Sequence, residues 1–153
     1  MSFDIARRVI AQRVADPSTL TDGDVQLLAA AAHALLVRDL LWWVRFTERT
    51  AREYQELWRR VAVRCPAVLA APALALSGFA AWMTGSGVVA RVAIEQAAVC
   101  DPTHHMTQLI GQMLHGGLSP QVWLQTHAQT RAQLHADLLD GQQHTEHRPM
   151  KAR

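Results

Sequence analysis

The sequence predicts an all-α fold of about six helices, each antiparallel to its neighbours. Three observations carry it. Half of the residues are hydrophobic, mostly Ala, Leu and Val, while aromatics are only 6%, which suits closely packed helices better than a sheet. Apolar residues recur three and four apart along most of the chain, the period of one helix face. The stretch from Leu74 to Pro102 reads as two short helices folded back on each other, about Pro72 to Met83 and Val88 to Cys100. The turn Thr84-Gly85-Ser86-Gly87 offers two glycines for the φ > 0 positions of a sharp reversal. Gly78, Ala81, Ala90 and Ala93 are small enough to let the two backbones approach, and Asp101-Pro102 ends the second helix.

Taken in order, Ser2 to Ala15 places Phe3, Ile5, Val9, Ile10 and Val14 at helical spacing, with Arg7, Arg8 and Arg13 elsewhere. Ser2 suits the cap and Asp4 the first turn. The modest apolar face points to docking on the protein's own core rather than on a membrane. After Asp16-Pro17 and a turn, Thr21 opens the longest expected helix, about Asp22 to Phe46. Leu28, Ala32, Leu35, Asp39, Trp42 and Phe46 form one stripe in it, widened by Leu36 and Trp43, with an acid in its middle. A carboxylate on a core face needs a partner or a proton. Arg91 and Arg64 border the apolar segments as candidate partners for Asp39 in a buried ion pair.

Thr50-x-x-Glu53 reads as a capping box opening a helix to about Arg64, with Tyr54, Leu57, Trp58 and Val61 on its buried face. Beyond the hairpin, Thr103 is the expected cap of a helix to about His115, closed by Gly116-Gly117. Ser119-Pro120 starts a last helix to about Leu139. Residues 1–140 thus read as one helical domain, and 141–153, polar and without periodicity, as a disordered tail.

Net charge is +2, too mild to indicate nucleic acid, and nearly all the positive charge is Arg, with Lys151 the only lysine, which reads as high-GC codon bias. Cys65 and Cys100 end apolar helices and read as buried free thiols of a reducing cytoplasm. Met1 to Ala15 has no uninterrupted apolar core and so no signal-peptide pattern. Cys65 to Val89 carries no charge, yet Pro66, Pro72 and the glycine turn break it into a helix start, a buried helix and a turn rather than a membrane span.

Two resemblances follow. In Leu74 to Pro102 the glycine of a tetratricopeptide repeat falls on Gly78, its alanine on Ala90, its second large residue on Ile94 and its proline on Pro102. The expected aromatics are missing, so the segment resembles one degenerate, tetratricopeptide-like unit and not an array. A second set of segments is Arg38-Asp39, Leu57-Trp58 to Pro66, Ala71-Pro72-Ala73-Leu74, Ala80-Ala81-Trp82 with Gly85 and Gly87, Ala97 to Pro102, and Gly117-Leu118-Ser119-Pro120 with Trp123. Through them, residues from about Ile5 to Trp123 are similar to the C-terminal helical half of a large actinobacterial family of uncharacterised proteins, described only as a domain of unknown function. Longer relatives have an N-terminal α/β half, which the resemblance implies is missing here. It implies an actinobacterium, or a phage or plasmid living in one, and no known activity, cofactor or catalytic residue.

Chemistry-bearing patterns are few. His104-His105 and His144-x-x-His147 are the histidine pairs, without the third and fourth convergent ligands that zinc needs. No nucleophile elbow, phosphate loop or dinucleotide fingerprint is visible. No catalytic, cofactor or metal residue is therefore assigned. The best expectation is a non-enzymatic interaction module holding another protein or a second copy of itself, because five tryptophans and five methionines exceed what a small Ala-rich core needs. Its candidate surface comprises Arg45, Arg49, Arg52, Arg59 and Arg60 with Trp43 and Trp123. Two other classes stay open: a nucleic-acid accessory protein using the Arg45–Arg64 stretch, although Glu48, Glu53 and Glu56 interrupt it, and a small enzyme built around Asp39.

Overall fold

The computed structural model describes residues 3–34, 50–122 and 125. These are helical, with no strand among them: α1 (Phe3–Arg13), α2 (Asp22–His33), α3 (Ala51–Arg64), α4 (Ala70–Met83), α5 (Gly87–Cys100) and α6 (His105–His115). Short 3-10 turns, Pro17–Thr19 and Ala67–Leu69, precede α2 and α4. By compactness the chain divides into Met1–Pro120 and Gln121–Arg153. All six helices belong to the first unit. In the second, Gln121, Val122 and Gln125 are helical; most of the expected last helix and the whole expected tail lie outside the described residues.

Helix α4 is the axis. It is apolar on every side, and Leu76, Phe79 and Pro72 are fully enclosed, as a helix without a polar face must be. It packs most extensively on α3 and α5, with α2 and α6 contributing further cover. It begins at Ala70, two residues before the expected start. Pro72 sits in the first turn, where a backbone N–H has no intrahelical partner anyway, so proline forfeits nothing there. On the α3 side, the buried Ser77 hydroxyl donates to the Gln55 carbonyl at 3.1 Å. On the α5 side, a Cβ on Gly78 would lie 3.2 Å from Ala93 Cβ and 3.1 Å from Ile94 Cδ1. Gly78 therefore sets how closely α5 approaches. The short connections at 65–69 and 84–86 turn the chain back at each end of α4, so α3 and α5 pack antiparallel to it, and Trp58, Leu57 and Val61 complete the core from the α3 side.

Two glycines close helices, each in the left-handed region: Gly85 at φ +80° after α4 and Gly117 at φ +66° after α6. At both ends the next residue's N–H reaches back five residues, Ser86 to the Ala81 carbonyl at 2.9 Å and Leu118 to the Met113 carbonyl at 3.1 Å. This Schellman closure satisfies carbonyls that would otherwise lack donors. Only Gly85 of the expected glycine pair reverses the chain; Gly87 is the first residue of α5.

Three local expectations are corrected. Helix α2 ends at His33 rather than Phe46: Ala34 is extended at ψ 111°, and the His33 Nε2 meets the Leu69 carbonyl at 2.9 Å. Residues 35–49 lie outside the described ones. Thr50 precedes α3 as expected, but it is in αR conformation and makes no side-chain cap. The capping box stands instead on Thr21 and Asp24 of α2, where Asp24 also meets Arg13 of α1 at 2.9 Å. The Thr21 backbone N–H, first of all, holds the Asp24 carboxyl below its usual range. Finally, α6 is capped by His104, not Thr103. Thr103 turns back to Asp101 Oδ1 at 2.7 Å, which leaves the next residue in position to cap.

Candidate interaction surface

Helix α5 carries two interleaved stripes. Ala90, Ile94 and Ala97 face α4 and are buried. On the opposite side Val88, Val92, Glu95 and Val99 are spaced four, three and four apart, the period of a seam that another helix packs on. Nothing among the described residues covers them: Val88 is 81% exposed, Val92 48% and Val99 83%. Single exposed valines need no explanation, but an aligned row opposite a buried face does. Arg91 flanks the row. Among the described residues, neither Arg91 nor Glu95 enters an ion pair or side-chain hydrogen bond, although they stand four apart on the same helix.

Beside this ridge runs a groove of about 520 Å³ between α5 and the end of α6, walled by Trp82, Val88, Arg91, Val92, Leu114 and Leu118. A smaller hollow of about 300 Å³ continues it past Glu95, Gly111 and His115. The groove is held open from below. Trp82, tilted against Phe79 at 5.7 Å between ring centroids, donates from Nε1 to the Leu118 carbonyl at 3.2 Å. That bond pins the Gly117-Leu118 turn as one wall. The floor is apolar and the rim carries one cation and one anion, a composition that suits a protein surface.

The arginine-rich helix is different in kind. Glu56 takes Arg59 through a two-bond fork at 2.8 and 2.9 Å and Arg60 at 2.6 Å. The Arg59 hydrogen bonds are the first cause that brings the Glu56 carboxyl down to about 2, and Glu56 in turn raises Arg59. Arg52 is exposed on the same helix. Arg64 is bound to the Leu20 carbonyl at 2.7 Å and to Asp22 at 2.6 Å, which latches α3 to the start of α2.

Of the two arginines expected as candidate partners of Asp39, Arg64 is thus held by Leu20 and Asp22, and Arg91 is exposed on α5. Asp39 itself, with Trp43, Arg45, Arg49, Trp123, His144 and His147, lies outside the described residues. Of the other tryptophans, Trp58 and Trp82 are buried. His104 turns inward, its Nδ1 accepting from the Thr107 N–H at 3.4 Å and lying 2.8 Å from Thr107 Oγ1, while His105 is exposed; the pair does not converge. Among the described residues no group of three His, Cys, Asp or Glu is placed to hold a metal ion, and no helix is long and apolar enough to cross a membrane. The valine ridge was not among the expected site residues, though its four-three-four spacing, offset from the buried Ala90-Ile94-Ala97 stripe, is present in the sequence.

No curated protein matches this chain, and no solved structure matches it. The model of one family, a domain of unknown function designated DUF4192, matches residues 4–121, which takes in all of α2 to α6, the groove and the ridge. The chain belongs to that family.

Proposed function

We propose that this chain is a non-enzymatic protein–protein interaction module whose contact face is the outer ridge of α5 and the groove beside it. The observation that carries the reading is the row Val88, Val92 and Val99, left bare on a helix that is apolar on both sides. Leaving such a row in water forgoes about 25 cal/mol for every Å² of apolar surface that a partner would cover. The groove adds the concave, apolar floor that an inserted side chain needs. In this reading the α4–α5 hairpin works as a lone tetratricopeptide-like unit would, one helix built into the core and the other offered outward. A cytoplasmic setting in an actinobacterium, or in its phage or plasmid, accords with the free cysteines and the near-absence of lysine.

A nucleic-acid role is less well supported, because Arg59 and Arg60 are already committed to Glu56 and a phosphate would have to displace it. Affinity capture from host lysate, with and without nuclease, tests the reading when wild type is compared with Val88→Glu/Val99→Glu. A stoichiometric protein retained by wild type after nuclease and lost by the variant is the expected result. Partners that vanish with nuclease and survive the double substitution would instead place the activity on nucleic acid.

A further inference from the structure

We infer that the occupant of the α5 ridge is a second copy of this chain, docked through an antiparallel α5–α5′ contact; this rests on the reading of the ridge as an interaction surface. The register follows from the residues. About a two-fold axis level with the Ala93–Ile94 peptide, Val88 of one copy meets Val99 of the other, and Val99 meets Val88. The two most exposed valines of the helix thus cover each other twice. At the centre Val92 meets Glu95 of the partner copy. A carboxylate there would be costly if left alone. The same register brings Arg91 of the opposite copy beside it, giving two symmetry-related Arg91–Glu95 pairs between chains. This accounts for two charges that stay unpaired among the described residues of one chain. In a two-fold contact, residue i meets j while j meets i, and Val88/Val99 with Arg91/Glu95 meet that condition. A parallel pairing would place Glu95 against Glu95 in the seam, like charges that oppose it.

The test is sedimentation equilibrium on four proteins: wild type, Arg91→Glu, Glu95→Arg, and an equal mixture of the two variants. Both positions are exposed, and circular dichroism verifies that each variant folds. Wild type should be a dimer. Each variant alone places like charges at both contacts and should associate at least about tenfold more weakly. The mixture should recover the dimer, because the Arg91→Glu chain is then acidic at both positions and faces a Glu95→Arg chain that is basic at both. A wild type that is monomeric at every concentration overturns the self-pairing and leaves the lysate comparison to decide the interaction module separately. A wild-type dimer indifferent to both substitutions overturns the antiparallel α5 contact, since the dimer would then use another face.

Discussion

Helices α3 and α5 flank the same central helix, run in the same direction and are each 14 residues long, yet their outer faces differ completely. The outer face of α3 ends in a charge cluster, Glu56 with Arg59 and Arg60, whose demands are met within one helix. The outer face of α5 ends in a row of valines with two charges, Arg91 and Glu95, that have no partner among the described residues. A face whose polar groups satisfy one another is finished and belongs in water. A face that is apolar in register and leaves its charges unpaired is, in the function proposed above, the one offered to a partner.

The largest effect expected is one at the central helix itself. Phe79 is fully buried in α4, and Phe79→Ala should cost about 3–5 kcal/mol of unfolding free energy by denaturant titration. Next comes a substitution that separates the flanks. Gly78→Val places branched carbons against Ala93 and Ile94 and should destabilise by about 1–3 kcal/mol, with hydrogen exchange speeding in α5 before α3. Ser77→Ala removes the bond to Gln55 on the other flank and should cost about 1 kcal/mol, felt in α3 first. If both substitutions loosened the two helices equally, α4 would not be the separating axis described.

The ridge and the cluster are distinguished by smaller shifts. Val88→Glu and Val99→Glu should each change the unfolding free energy of the monomer by no more than about 0.5 kcal/mol, since neither side chain is packed within the chain, while abolishing association. Acid should act on α3 in the opposite way. The unfolded chain protonates Glu56 near 4.5, whereas the folded one holds the carboxylate down to about 2. Stability from this cluster is therefore complete above pH 4.5 and declines as pH falls through that window toward 2. Glu56→Gln should flatten that part of an acid titration monitored by circular dichroism. An unchanged slope would remove the cluster from the stability of the fold.

Much of the fold was legible because it rests on local signals. Proline and glycine punctuation placed the α4–α5 hairpin within two residues, and periodicity found the buried face of α3, Tyr54, Leu57, Trp58 and Val61. The misses have physical reasons. Helix α2 stops at Ala34 amid alanine and leucine, where no glycine or proline announces an end and a tertiary contact from His33 to Leu69 accompanies it. Thr50 and Thr103 have the chemistry of caps, but a cap also needs an extended backbone and an uncommitted side chain. Thr50 fails on the first count and Thr103 on the second. At the surface, the sequence pointed to the arginines because charge is conspicuous, and it could not reveal that Glu56 had engaged two of them. The valines of α5 were passed over since an apolar residue in a helix is ordinarily assigned to a core. Only knowing which stripe faces α4 separates Val88 and Val99 from Ala90 and Ala97.

An isotope-filtered NOE experiment on a mixture of labelled and unlabelled chains examines the α5 contact at its defining atoms. Along one helix Val88 and Val99 are about 16 Å apart, too far for their methyls to cross-relax. Cross-peaks between Val88 methyls of one chain and Val99 methyls of the other are the predicted result. Interchain peaks confined to other helices, or none at all, would contradict it.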